Sequence, residues 1–312
     1  MSQKPLVSFI ICTYNRADYL DDALASIADA EIEDLPCEVL IVDNNSTDRT
    51  PEVVQKYQKS SDKDGKAIRY IKENRQGLSH ARNRGITESG APFLVFLDDD
   101  IRATPSLIPA WISFFEEFPQ ATAGGGRIHV QFDAPRPDWM SYFLLPLLGH
   151  HDLGSSIKKY PPGKYPFGGN MGFKKSIFSE IGMFNPDLGR KGSSLNAGEE
   201  KELFRRIRER DRDIYYLPEA FLYHRVDRQR LTVDYIRKQA LGLGQSMKLR
   251  MRQANGFQQL KNWIAETFKL FASFPLALGY LLGLQPSKAT MLFKFRWWIW
   301  KGYRQFKTAN KE

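Results

Sequence analysis

Cysteine is scarce in this chain of 312 residues, which contains only Cys12 and Cys37. Both adjoin apolar, strand-like runs, so we expect two buried free thiols rather than a disulfide or a metal-binding pair. Two cysteines cannot by themselves build a structural zinc site.

The glycine-rich loops that grip phosphate groups are also missing. Neither a Walker loop nor a G-x-G-x-x-G follows the first apolar run, and the triple glycine at residues 124–126 comes too late and lacks the motif. This excludes P-loop phosphoryl transfer and hydride transfer. The short apolar run at residues 6–12 does not form an export signal, because no basic region precedes it and no small-residue cleavage site follows. We therefore expect a cytoplasmic catalytic body.

Acidic residues are rare near the C-terminus. Residues 225–312 hold 17 Lys and Arg against 4 Asp and Glu, a net charge of +13, which leaves 28 against 32, or −4, for residues 1–224. Such asymmetry is typical of a chain whose basic part meets a polyanionic surface, either anionic lipid headgroups or nucleic acid.

Apolar runs rich in β-branched residues alternate with amphipathic stretches through the first hundred residues. The pattern predicts strands at residues 6–13, 37–43, 67–71 and 92–97, with helices between them. This alternation predicts an α/β fold with a doubly wound, mainly parallel sheet. Two further strands are predicted near residues 214–217 and 221–226, and the chain beyond residue 232 is predicted to be a helical extension.

Three of the predicted strands end in polar clusters. The first ends in Thr13 to Arg16, the second in Asp43 to Ser46, and the fourth in Asp98 to Asp100. Ligands of open parallel sheets bind outside the carboxyl ends of the strands, so we expect these clusters to converge on one crevice.

The sequence "FLVFLDDDIRATP" runs from apolar residues directly into three carboxylates. Adjacent carboxylates repel one another, and a divalent cation that bridges a diphosphate would hold them together. Asp98 and Asp100 share a face if the backbone stays extended, and Asp99 then points elsewhere. The alternative is that these residues only cap the following helix.

Six segments together resemble the family 2 glycosyltransferases of GT-A fold. In order they are "FIICTYNR", "LIVDNNSTD", "NRQGLSHARNRGI", "FLVFLDDDI", "FGGNMGF" and "GEEKELFRRIRE". The resemblance covers about residues 5–230. It implies a nucleotide-diphospho-sugar transferase fold and an inverting glycosyltransferase activity, with a nucleoside-diphosphate sugar as donor.

The resemblance also implies which residues bind the donor. They are Thr13, Asn15, Arg16, Asp43, Asn45, Asp98, Gly169 and Asn170. Among them, Asp43 matches the carboxylate that accepts a hydrogen bond from the base, while Gly169 and Asn170 match a segment that approaches the sugar. Asp43 and Asn45 have the alternative of forming an Asx turn.

A metal site and a general base are implied in the same way. Asp98, Asp100 and His224 match the family's metal shell for Mn²⁺ or Mg²⁺, with Asp100 as the direct ligand and Asp98 nearer the ribose or a metal-bound water. Glu200 stands at the position of the proposed base, and Glu199 is the alternative. Both glutamates open a helix, where negative charge is favoured in any case, and His224 has the alternative of an ordinary histidine at a strand end.

We therefore divide the chain into a catalytic domain at residues 1–230 and a basic, aromatic extension at residues 231–312. Tryptophans next to basic residues, such as Trp297, Trp298 and Trp300, suit the headgroup layer of a membrane. We expect a peripheral protein on the cytoplasmic face of the cell membrane, and packing of the extension on the catalytic domain is the alternative. The loops at residues 131–170 and 185–198 are expected to select the donor sugar.

The leading hypothesis is sugar transfer from a nucleoside-diphosphate sugar to a lipid-linked or polysaccharide acceptor. A nucleic-acid-binding protein is a second hypothesis, but no nucleic-acid motif supports it, so we expect no nucleic acid as partner. A catalytically inactive scaffold of the same fold is a third, and the retained carboxylates argue against it.

Overall fold

The structure is a computed structural model that describes residues 4–29, 35–64, 67–189, 198–251 and 256–305. Most of the loop expected at residues 185–198 lies outside the described residues. The chain forms two compact units, one of residues 1–129 and 151–225 and one of residues 130–150 and 226–312.

The first unit begins with alternating strands and helices, because apolar runs rich in β-branched residues alternate with segments in which apolar residues follow helical spacing. Its elements are β1 (Val7–Thr13), α1 (Ala17–Ala28), β2 (Cys37–Asp43), α2 (Thr50–Asp64), β3 (Ala67–Lys72), α3 (Leu78–Glu88), β4 (Phe93–Asp98), β5 (Ile101–Ala103), α4 (Leu107–Glu117), β6 (Ala123–Phe132), β7 (Lys158–Lys159), β8 (Asn170–Lys174), α5 (Ile177–Ile181), α6 (Glu199–Arg208) and β9 (Ile214–Val226).

One sheet contains all of these strands, in the order β3-β2-β1-β4-β8-β6-β9-β5, with β7 paired to β9. The four N-terminal strands pair in parallel, as predicted. Beyond β4 the sheet continues through antiparallel pairs, with β8 against β4, β6 against β8 and β5 against β9. The parallel half brings the ends of β1, β2 and β4 to one edge.

Both faces of the sheet are covered by apolar clusters. On one face, Trp111 and Phe115 of α4 stack with ring centroids 5.7 Å apart, and Phe93 of β4 stacks on Phe115 at 4.2 Å. On the other face, Phe173 of β8 stacks on Phe204 of α6 at 5.3 Å. Burial on both faces of the sheet explains why the sequence of β4 is almost entirely apolar.

The second unit is helical beyond residue 232, as predicted. It contains α7 (Val233–Met251), α8 (Gly256–Leu282) and α9 (Pro286–Gln305), together with a 3₁₀-helix at Tyr142–Leu148. A Cβ at Gly244 of α7 would lie 2.1 Å from the carbonyl oxygen of Ile299 in α9, so only glycine permits this close helix crossing. No helix in the described part of the chain is both long enough and apolar enough to cross a bilayer.

Two details differ from the sequence-based expectation. The two short strands predicted near residues 214–217 and 221–226 are one strand, β9, which continues through Pro218. Both cysteines lie in described residues and neither forms a disulfide, as predicted, but each is only partly buried.

Candidate functional site

Hydrogen bonds join the loops that follow β1 and β2. The backbone N–H of Asn15 donates to Ser46 Oγ at 2.9 Å, and the N–H of Thr47 donates to Asn15 Oδ1 at 2.7 Å. Asn15 has a φ of 52°, in the left-handed region that asparagine tolerates better than most residues. The first two polar clusters therefore lie side by side, as expected.

Asp43 is buried at the end of β2 and both of its oxygens accept hydrogen bonds. Oδ1 accepts from the backbone N–H of Ser46 at 2.8 Å, and Oδ2 accepts from the hydroxyl of Tyr70 at 2.5 Å. Asn45 is exposed, with a φ of 67°. The carboxylate thus shapes the turn, and its contact with a nucleotide base stays a prediction.

Tyr70→Phe is expected to lower the free energy of unfolding by about 1.5–3 kcal/mol, since it leaves a buried carboxylate oxygen without its donor. Urea unfolding measures this change. Tyr57→Phe is the matched control, because the Tyr57 hydroxyl donates to the more exposed Asp21 at 2.7 Å and its loss is expected to cost less. Equal losses in the two variants would contradict a special role for the Asp43 bond.

Asp99 was expected to point away from Asp98 and Asp100 only if the backbone stayed extended. The backbone instead turns immediately after β4. The Arg16 guanidinium bridges the two, with Nη1 2.6 Å from Asp99 Oδ1 and Nη2 2.8 Å from Asp100 Oδ2. The Thr13 hydroxyl donates to Asp99 Oδ2 at 2.7 Å. Residues at the end of β1 and just beyond it therefore neutralise and hold the acidic turn after β4, and the third polar cluster converges with the first.

Burial is the largest cause of the pKa shifts of Asp99 and Cys12 at this edge of the sheet. It raises the pKa of Asp99 to about 6, against the opposing charge of Arg16 and with a further contribution from Asp100. Burial likewise raises the pKa of the Cys12 thiol to about 12. Cys12 is therefore neutral at physiological pH and does not serve as a nucleophile.

Two of the three predicted metal ligands are adjacent. His224 on β9 places Nε2 3.2 Å from Asp100 Oδ2, and both side chains are largely buried. The third, Asp98, is more open and lies beside Arg82, whose Nη2 is 3.9 Å from Asp98 Oδ1. Within the described residues no three His, Cys, Asp or Glu side chains form a metal-binding group. Still, a carboxylate and an imidazole suit Mn²⁺, and such sites are commonly completed by water and substrate phosphates.

Arg82 on α3 is buried among acidic groups, with a side chain only 4% exposed. Its Nη1 donates to Glu199 Oε1 at 2.7 Å, and its Nη2 donates to the carbonyl of Gly168 at 3.3 Å. The guanidinium therefore connects the start of α6, the segment before β8 and the end of β4.

The two glutamates that begin α6 have different environments. The Glu199 carboxylate accepts hydrogen bonds from Arg82 and, at 3.0 Å, from the backbone N–H of Gly198. Glu200 is half-buried, and burial raises its pKa to about 7, with a further contribution from the charge of Glu199 and an opposing one from Arg82. A pKa of about 7 suits Glu200 to proton transfer near neutral pH.

Gly169 and Asn170 have distinct surroundings. A Cβ at Gly169 would lie 2.6 Å from Asp98 Oδ2, so glycine lets the backbone approach that carboxylate. Asn170 is fully buried, where its amide accepts from Trp111 Nε1 at 3.0 Å and donates to the carbonyls of Arg127 and Ala220. This gives Asn170 a structural role, and its predicted approach to the donor sugar stays a prediction.

Sequence reasoning missed Asn44, whose buried amide organises the loops behind the site. Its Nδ2 donates to the carbonyls of Glu73 and Arg75, and its Oδ1 accepts the N–H of Gly77 at the start of α3. A buried asparagine and an exposed one cannot be distinguished by residue type alone.

The chain is similar to known proteins in sequence and in fold. The family model described as Glycosyl transferase family 2 matches residues 8–182. A glucosyl-dolichyl phosphate glucuronosyltransferase of Haloferax volcanii is 25% identical over 233 residues, covering 74% of this chain and 72% of the relative. A GalNAc(5)-diNAcBac-PP-undecaprenol beta-1,3-glucosyltransferase of Campylobacter jejuni is 38% identical over 98 residues, covering 31% of this chain and only 30% of the relative.

Among solved structures, a mannosyltransferase of Pyrobaculum calidifontis in complex with GDP-Man and Mn²⁺ superposes with a TM-score of 0.63. The sequences are 18% identical, and the alignment covers 98% of this chain and 89% of that chain. At this identity the likeness establishes the fold alone. It confirms the predicted GT-A fold with helices at the C-terminus.

Proposed function

The chain belongs to glycosyl transferase family 2 and is a glycosyltransferase, and from this premise we propose that it transfers a sugar from a nucleoside-diphosphate donor to a lipid-linked or polysaccharide acceptor, with inversion. The observation that carries the proposal is the pair of glutamates opening α6. One is neutralised by a buried arginine, and the other has a pKa of about 7.

The donor occupies the edge where β1, β2 and β4 end. Thr13, Asn15 and Arg16 lie there together with Asp43 and Asn45, and hydrogen bonds link these loops into one wall. Such a preorganised wall binds a ligand without a further ordering cost. Asp98 and Gly169 lie in mutual contact at the end of β4.

Asp100 and His224 would hold a divalent cation, Mn²⁺ or Mg²⁺, and Asp98 would lie nearer the ribose or the hydration shell of the cation. When bound, the cation supplies charge neutralisation for the departing diphosphate. Arg16 is hydrogen-bonded to Asp100 and so holds that carboxylate in place within the turn.

Glu200 acts as the general base. It removes the proton of the acceptor hydroxyl while the oxygen attacks the anomeric carbon, and the bond to the diphosphate breaks. Direct displacement on one face inverts the anomeric configuration. Arg82 pairs with Glu199, whose negative charge adds to burial in raising the pKa of Glu200, while the charge of Arg82 lowers that pKa.

The acceptor assignment is supported by two of the relatives described above, whose names specify dolichyl phosphate and undecaprenol diphosphate carriers. Because the second relative matches over only a third of its length, the lipid-linked acceptor is a proposal for this chain.

A panel of UDP-, GDP- and dTDP-sugars, assayed for release of the nucleoside diphosphate, tests the proposal. We expect turnover with at least one donor in the presence of MnCl₂. Chelation is expected to lower it on the order of 100-fold, because the metal contributes several kcal/mol to the transition state. NMR of the product reports inversion. No turnover with any donor, or turnover indifferent to chelation, would contradict the proposal.

Asp100→Asn is expected to raise the Mn²⁺ concentration needed for half-maximal activity by about tenfold or more, since a neutral amide is a weaker ligand than a carboxylate. Titration of activity with MnCl₂ measures this. Asp213→Asn is the matched control, because Asp213 forms an exposed ion pair with Lys159 and is expected to leave the titration unchanged. Superimposable titrations of the wild type and Asp100→Asn would move the metal site elsewhere.

A further inference from the structure

Helix α8 exposes an apolar stripe to solvent. The stripe follows helical spacing over about 33 Å of helix and consists of Leu260, Ile264, Phe268, Phe271, Leu278 and Leu282. Phe268 is 70% exposed and Leu282 is 77% exposed. Isolated apolar side chains are normal on a protein surface, but a contiguous row of this size indicates a contact surface.

The opposite side of α8 is already packed. Ala277 and Ser273 are buried, and Ala277 packs in one cluster with Ala289 and Leu292 of α9. The stripe is therefore not the face that holds α8 against α9. Its exposed apolar residues are therefore available to contact another molecule.

Charge identifies the kind of partner. Residues 256–305 contain seven Lys and Arg against one Asp or Glu. Exposed cations among them are Lys269, Lys294, Lys301 and Arg304. Two copies of such a surface would repel each other, whereas anionic headgroups would attract it.

We propose that α8 lies in the plane of an anionic bilayer and buries this stripe at the boundary between headgroups and acyl chains. An apolar helix face in a basic helical region binds this way without spanning the membrane. The sequence had suggested the tryptophans of α9 as the membrane contact. Of these only Trp297 is strongly exposed, so α8 provides the main apolar surface.

Flotation of the full chain with vesicles of equal parts phosphatidylglycerol and phosphatidylcholine tests the proposal. The wild type is expected to float, and pure phosphatidylcholine vesicles are expected to bind it at least about tenfold more weakly. The variant Phe268→Gln/Phe271→Gln/Leu278→Gln is expected to lose at least about 30-fold in vesicle affinity. The matched control is Phe143→Gln/Ile157→Gln, which removes exposed apolar side chains from other elements and is expected to float like the wild type.

Three results would overturn the proposal. They are a wild type that does not float, a triple variant that floats unchanged, and a wild type that is a dimer in light scattering and becomes monomeric in the triple variant. The last result would assign the stripe to a second copy. The assay requires neither donor nor acceptor, so its failure would leave the proposed sugar transfer intact.

Discussion

Glu200→Gln is expected to lower kcat about 100-fold or more while leaving the Kd for the donor unchanged. The amide keeps the shape of the side chain but cannot accept a proton, and a lost general base typically costs this much. Calorimetric titration with the donor and Mn²⁺ measures binding, and initial rates measure kcat.

The pH dependence gives the same prediction an independent test. A base with a pKa of about 7 is protonated below that pH, so the wild-type kcat is expected to rise as the pH increases through 7 and to level off above it. Glu200→Gln is expected to lose this rise. The matched control is Glu202→Gln, because Glu202 lies on the same helix and pairs with Arg206. Equal activity of the two variants would place the base elsewhere.

Arg82→Met is expected to destabilise the protein by about 3–5 kcal/mol, the range seen when one partner of a buried ion pair is removed. Methionine approximates the volume of the stem but leaves the buried carboxylate of Glu199 without its cation. Urea unfolding, with the slope compared between variants, measures the loss.

The double variant Arg82→Met/Glu199→Gln separates charge from packing. We expect it to recover part of the lost stability, because the second change removes the unpaired charge. Arg84→Met is the matched control on the same helix, where the exposed pair with Glu88 is expected to contribute no more than about 1 kcal/mol. Similar losses for Arg82→Met and Arg84→Met would show that the buried pair contributes little.

The strand ends were predictable because each combines an apolar run with the polar residues that must follow it. Parallel pairing then brings Thr13 beside Asp43 and Cys12 beside Asp98 in register. Ligands of parallel sheets bind at the carboxyl ends of the strands, so the order and direction of the strands are enough to locate the candidate site. The site was therefore predictable to the extent that it depends on strand topology.

Side-chain direction was not predictable in the same way. Arg82 faces the acids because α3 and α6 pack in the same apolar cluster, which is a matter of tertiary packing. Asp99 joins Asp100 on Arg16 because the backbone turns directly after β4. Neither fact is encoded in local spacing, and the sequence did not predict strands β5 to β8 of the antiparallel half for the same reason.

The double bridge from Arg16 has a consequence for how the protein responds to scarce metal. Because a resident guanidinium already compensates two of the three consecutive carboxylates, the acidic turn does not need an ion in order to hold its shape. Under the proposed function, we expect that removal of Mn²⁺ abolishes activity reversibly and leaves the protein folded.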